Sequence, residues 1–262
     1  MIVNWNVAQP PSAASIEASL GCLHGRTIVK HTIRPIILIT AASLVFSPSA
    51  SAKSGRPKLK LTPTAFDFGY MPQGFKVTNR YWVANTGTDT LLVSEVKPLC
   101  GCTTAPLKKN RIAPGDSVSL DVVFDSKNIT GGVNKKVTIF TNDLTQNPAE
   151  ISFTVRVQDR DSIMTVKPRF ATFLAIDKRK DSIALTNNTL SEYKVRLAAP
   201  PPEFIKCEFS SDRVLPGGSI SLTLTRGKGA PVGEYETSIT LWLDGPLPYP
   251  LSIPIKGVGY IE

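Results

Sequence analysis

The residues of this sequence best placed to do chemistry lie in Cys100-Gly101-Cys102-Thr103-Thr104. Two thiols two residues apart can close a disulfide, exchange with other thiols, or hold a soft cation such as Cu(I). In an extended strand, residues i and i+2 face the same way with Cβ atoms about 6 to 7 Å apart, whereas a disulfide requires roughly 3.5 to 4.5 Å. The chain must therefore fold sharply between them, and Gly101 permits this because glycine enters positive φ at little steric cost. A bridge closed over one residue is expected to be easier to reduce than a structural one. Lys108, Lys109 and Arg111 follow closely, and if the loop folds back their charges would favour a thiolate. The structural alternatives are a bridge that fixes a strand end and buried thiols that pack a core.

Little other chemistry is on offer. The two histidines, His24 and His31, both lie ahead of Ala52, and so does Cys22. The apolar run Ile36 to Phe46 follows Lys30, His31 and Arg34 and precedes Ser-Pro-Ser-Ala50-Ser51-Ala52, the pattern of a secretory leader cleaved after Ala52. The run falls short of the about 20 apolar residues of a spanning helix, so membrane contact is expected only through the leader before cleavage. The stretch before it does not read as part of a leader, and translation is expected to start at Val29. Cleavage leaves Cys100, Cys102 and Cys207 and no imidazole, which excludes Ser-His-Asp and Cys-His nucleophile systems and histidine metal ligation. Residues 1–52 are thus read as extension and leader, and 53–60 as a basic arm.

No nucleophile elbow or phosphate-cradling glycine motif is present. Asp67, Asp116, Asp159 and Asp161 sit in turn and linker settings, where carboxylates are solvated or cap turns. No catalytic residue is assigned, no cofactor is expected, and the protein is read as not an enzyme. The formal charge of +9, from 30 basic and 21 acidic side chains, suits a protein that meets anionic surfaces. The basic residues are scattered without aromatic interleaving or a recognition helix, so nucleic acid is not expected as a partner.

Beyond Leu59, short segments rich in Val, Ile, Thr and aromatics alternate with Gly, Asn, Asp and Pro turns, and no window holds a helical period. This predicts an all-β chain. Strands are expected at Leu59 to Leu61, Thr78 to Ala84, Thr90 to Val96, Ser117 to Phe124, Lys135 to Thr141 and Glu150 to Val157. Trp82 and Trp242 fall within strands and are expected to fill the core.

The second half repeats the first. Asn85 matches Asn187, Pro114-Gly115 matches Pro216-Gly217, Ser117 to Leu120 matches Ser219 to Leu222, and Thr138-Ile139 matches Thr240-Leu241, all 102 residues apart. That period is a domain duplication, since solenoid repeats run to roughly 20 to 50 residues. About seven strands in about 100 residues is the count of an immunoglobulin-like sandwich. Sandwiches are expected at 61–158 and 163–262, end to end across a short charged linker, Gln158 to Asp161. Within Phe204 to Phe209, Ile205, Cys207 and Phe209 share a face, which makes Cys207 a core thiol or a bridge partner for the first half.

Phe66-Asp67-Phe68-Gly69 with Gly74, Trp82 to Gly87, Leu91-Leu92-Val93, Cys100-Gly101-Cys102-Thr103, Ala113-Pro114-Gly115 and Val122-Val123-Phe124 together resemble an uncharacterised bacterial secreted domain family. That family has a CGCT signature and is related to the ASH (Hydin-type) and PapD-like immunoglobulin folds. The second half lacks the Cys-Gly-Cys, so its resemblance is structural. The resemblance implies two tandem immunoglobulin-like (ASH/PapD-like) sandwiches after a cleaved signal peptide, in a periplasmic or secreted protein. It also implies strand addition as one role, for which Ile151, Phe153, Val155 and Val157 alternate as a donor strand would, given an unpaired edge there. The favoured function is a non-catalytic interaction or structural module that binds an envelope protein or anionic envelope polymer. Strand-addition assembly, and thiol redox or Cu(I) handling at Cys100 and Cys102, are the alternatives.

Overall fold

The computed structural model describes residues 55–158 and 163–261. The leader with its cleavage after Ala52, the start at Val29, the first residues of the basic arm and most of the linker lie outside the described residues.

The described chain is all-β, and its two halves carry the same nine strands. The first half contains β1 (Leu59–Thr62), β2 (Ala65–Met71), β3 (Lys76–Asn85), β4 (Leu91–Pro98), β5 (Thr103–Thr104), β6 (Arg111–Ile112), β7 (Ser117–Asp125), β8 (Gly131–Thr141) and β9 (Ala149–Val157). The second contains β10 (Met164–Lys167), β11 (Ala171–Phe173), β12 (Lys180–Asn187), β13 (Tyr193–Leu197), β14 (Ile205–Phe209), β15 (Arg213–Val214), β16 (Ser219–Arg226), β17 (Gly233–Asp244) and β18 (Tyr249–Gly259). One sheet of each half runs β1-β3-β7-β5 or β10-β12-β16-β14. The facing sheets run β2-β9-β8-β4-β6 and, with β11 on its edge, β18-β17-β13-β15. Alternating side chains from the two sheets of each half meet in a separate core.

The duplication extends to the hydrogen bonds. The Asn85 side-chain amide donates to the carbonyls of Asp89 and Ile112, at 2.8 and 2.9 Å. Asn187 donates in the same way to Ser191 and Val214, at 2.7 and 3.0 Å. Both amides are fully buried, where an unpaired polar group costs free energy and an asparagine that ties a loop to a short strand is favoured.

The halves do not sit end to end as the short linker suggested. They share one ten-stranded sheet, because β2 pairs with β9 on one side and meets β18 on the other, Leu251 opposite Tyr70. A bulge between Asp67 and Tyr70 redirects β2. Phe68 and Met71 point into the first core, while Tyr70 is turned into the second. There its ring meets Tyr249 edge-on, 5.5 Å between centroids. Gly69 makes the bulge possible: its φ is +63°, and a Cβ there would collide with the carbonyl of Pro250. Around this join the Ser252 hydroxyl donates to the Phe68 carbonyl at 2.7 Å, and the Thr78 N–H donates to Ser238 Oγ at 2.9 Å. Glu236 bridges Lys76 of the first half and Lys256 of the second, at 2.8 and 3.1 Å. Burial opposes the Glu236 carboxylate, but hydrogen bonds and charge from the two lysines outweigh it and hold its pKa below the ordinary value.

Two expectations are corrected by strand pairing and alternation. Ile151, Phe153, Val155 and Val157 do not form an edge: β9 is paired with β8 and with β2, and all four side chains are buried in the first core. Trp82 is not a core filler, since Tyr81 and Val83 take the inward positions of β3 and leave it 44% exposed. Trp242 is half-buried beneath the Arg196 guanidinium, 5.6 Å from its ring centroid.

Candidate functional site

The Cys-Gly-Cys turn carries the chain from β4 to β5. Pro98 ends β4 opposite Val137, and the Leu99 N–H reaches the Lys136 carbonyl at 3.3 Å. The turn closes where the Thr103 N–H donates to the Cys100 carbonyl at 3.2 Å, and the Asp125 N–H donates to the Cys102 carbonyl at 2.9 Å. The sulfurs of Cys100 and Cys102 are joined, with Cα atoms 5.3 Å apart. Gly101 does not use positive φ to achieve this. A Cβ at Gly101 would meet nothing within 4 Å. Gly101 is exposed, and no more distant part of the chain packs over it. Both cysteines are half-buried; Cys102 packs against the first core, and Cys100 follows Leu99, which is 63% exposed. The Thr103 side chain is buried, and its hydroxyl is 3.4 Å from Cys100 Sγ and 4.0 Å from Cys102 Sγ.

Lys108, Lys109 and Arg111 do not join this site. After Thr103 the chain runs antiparallel along β7, passing Val123 at Thr104 and Leu120 at Leu107. Lys109 pairs with Asp116 at 3.5 Å, and Arg111 pairs in β6 with Leu92 near the start of β4. Leu92 lies about six residues before the end of β4, or about 20 Å at ~3.3 Å per residue. Lys108 is exposed on the same receding loop.

The second half builds the same corner without sulfur. Pro202-Glu203-Phe204 occupies the positions of Cys100-Gly101-Cys102. The Ile205 N–H donates to the Pro202 carbonyl at 2.8 Å and the Gly227 N–H to the Phe204 carbonyl at 2.8 Å, repeating the two bonds of the first corner. Glu203 is engaged by Arg80 at 2.6 Å. Cys207 lies beyond the corner in β14, is unbridged, and packs against the second core. Burial pushes its thiol up to about 12. In their joined state, Cys100 and Cys102 offer no thiolate to Cu(I).

A second departure between the halves lies at the end of β16. Arg226 stands where the first half places Phe124, which is 0% exposed in its core. Arg226 is itself only 5% exposed, and its guanidinium donates to the carbonyls of Val258 and Ile176, at 2.5 and 3.1 Å. The guanidinium also lies 5.9 Å from the Tyr260 ring centroid. A groove of about 450 Å³ opens over it. Its wall includes Ile176, Val232 and Ile261, the last two 69% and 88% exposed, and the charges of Lys228 and Arg179. These residues come from the β11–β12, β16–β17 and C-terminal segments, so no local pattern marks them. The one signal available was the replacement of Phe124 by Arg226 across the repeat.

The fold and these two places define a tandem β-sandwich protein with an immunoglobulin-like strand order. The family described as protein of unknown function (DUF1573) matches residues 59–157, the first sandwich. Among solved structures, a protein of unknown function from Porphyromonas gingivalis W83 is similar at 14% identity and TM-score 0.33, over 77% of this chain and 99% of that one. The E. coli chaperone DraB is similar at 11% identity and TM-score 0.31, over 78% and 99%. The ASH/PapD-like domain 7 of human CEP192 is similar at 10% identity and TM-score 0.33, over 52% and 99%. No curated protein matches the sequence.

Proposed function

We propose that this is an exported, non-catalytic binding module of the bacterial cell envelope that takes an anionic envelope component into the groove over Arg226. The observation that carries the reading is the groove itself: a position filled by Phe124 in one half holds a buried arginine in the other. Exposed apolar side chains and two further cations surround it. Apolar surface of this kind rimmed by charge suits a partner with both characters. The leader pattern before Ala52 supports export. Strand addition is not retained, because the β9 edge it needs is occupied by β2.

Co-sedimentation with purified cell-wall sacculi tests the reading. The chain is expected to pellet at low salt and to be released as salt screens the contact. Lys228→Glu and Val232→Asp, both at exposed positions, should each lower the bound fraction several-fold without changing the melting temperature. Binding indifferent to both substitutions would contradict it.

A further inference from the structure

We infer that Cys100 and Cys102 form a thiol–disulfide exchange site that trades two electrons with the dithiol of a partner protein, Cys100 being the sulfur the partner attacks. This goes beyond the binding reading and does not depend on it, since the groove lies in the other sandwich.

The internal repeat supplies the control. If the bridge served to hold the corner between β4 and β5, the matching corner between β13 and β14 would need a substitute. That corner closes with the same two backbone hydrogen bonds, with distances no longer than those of the first, and its other contacts are non-covalent: the ion pair of the exposed Glu203 with Arg80 at 2.6 Å and the edge-on packing of Phe204 on Tyr235, 5.3 Å between centroids. A loop closed over three residues also gains the least in the chain-entropy account of cross-links, where stabilisation grows with loop length. The sulfurs are therefore not required to close the backbone of the turn. What they add to it is a bond that a thiol can open.

Access and polarity around the bridge agree. Gly101 presents no side chain outward and leaves open space where a Cβ would project. Leu99 offers an exposed apolar contact beside it. Both residues are half-buried, but of the two it is Cys102 that packs against the core, which makes Cys100 the sulfur an incoming thiolate would reach. The Thr103 hydroxyl lies within reach of both sulfurs and can donate to whichever carries negative charge. Cys207 does not compete, because its thiol is held against the second core.

A partner thiolate attacks Cys100 Sγ, the Cys100–Cys102 bond breaks, and a mixed disulfide forms between the partner and Cys100. Cys102 leaves as a thiolate, receives the Thr103 hydrogen bond and takes a proton from solvent. The partner's second thiolate then attacks the partner sulfur of the mixed disulfide, and Cys100 leaves and is protonated. The partner dithiol has been oxidised to a disulfide and Cys100 and Cys102 reduced to two thiols. A partner disulfide drives the same steps in reverse.

Two measurements on the purified chain decide the matter. Under native conditions dithiothreitol is expected to yield two alkylatable thiols, mapped to Cys100 and Cys102, while the melting temperature falls by less than about 3 °C. For the mixed-disulfide step, Cys102→Ser incubated with glutathione disulfide should acquire one glutathione at Cys100, at least about tenfold faster than Cys100→Ser acquires one at Cys102. A bridge that resists reduction until the chain unfolds would overturn the inference. So would a melting temperature that drops by about 8 °C or more on reduction, the behaviour of a structural cross-link. Equal rates for the two serine variants would overturn the assignment to Cys100. The wild-type reduction is independent of how either variant folds.

Discussion

Gly69→Ala is expected to destabilise the chain by about 3 kcal/mol, the sum of a left-handed backbone penalty and a steric clash at a packed join. Its φ of +63° is tolerated by glycine and resisted by alanine. The added Cβ would also press on the backbone carbonyl of Pro250 and on its Cγ, neither of which is the free end of a flexible side chain. To relieve the contact the bulge must shift, and with it Tyr70, the side chain that β2 lends to the second core. Gly74→Ala provides the comparison. Gly74 also has a positive φ, +84°, but a Cβ there would meet nothing within 4 Å, so only the backbone penalty of about 1 kcal/mol applies. Urea unfolding of both variants should show this gap. Equal losses would mean that the approach of Pro250 to Gly69 is not a packing constraint.

Phe153→Ala is expected to cost about 4 kcal/mol, within the range for truncating a buried phenylalanine. Phe153 is 1% exposed and meets Phe68 and Phe124 edge-on, with centroids 5.6 and 5.7 Å away. The side chain therefore joins β9 to β2 of the same sheet and to β7 of the facing one. Alanine leaves a cavity that three strands cannot close together. Trp82→Ala, which removes a larger but outward-facing ring, should cost under about 1 kcal/mol despite its volume. If Phe153→Ala were as mild as Trp82→Ala in chemical denaturation, the Phe68–Phe153–Phe124 contact would not hold β9 in the first core.

The division between what could and could not be read from the sequence follows the range of the interactions. The constant spacing from Asn85 to Asn187 and from Pro114-Gly115 to Pro216-Gly217 exposed the duplication, because caps and turns are local chemistry that recurs with the fold. Six strands of the first half were legible for the same reason. β2 was missed because Phe66-Asp67-Phe68-Gly69-Tyr70-Met71 alternates only as far as Tyr70 and its bulge breaks the period, putting Phe68 and Met71, three residues apart, into the first core and Tyr70 into the second. The pairing of β9 on both sides depends on β2, so alternation at Ile151, Phe153, Val155 and Val157 could not distinguish an edge from an interior strand. Alternation also left the inward face of β3 open, and Trp82 took the outer one. At the cysteines, spacing predicted that a bridge would need a turn, but the glycine makes it without positive φ. The direction of the loop after Thr103, set by pairing with β7, carries Lys108, Lys109 and Arg111 away. The groove was beyond local reading, since Ile176, Arg226 and Ile261 meet only once the second sandwich has closed.

Calorimetric unfolding of the purified chain reads most directly whether β2 fuses the two sandwiches into one sheet. A single transition is predicted, with the van't Hoff and calorimetric enthalpies equal. Two separable transitions in the wild-type chain, one for each half, would contradict it.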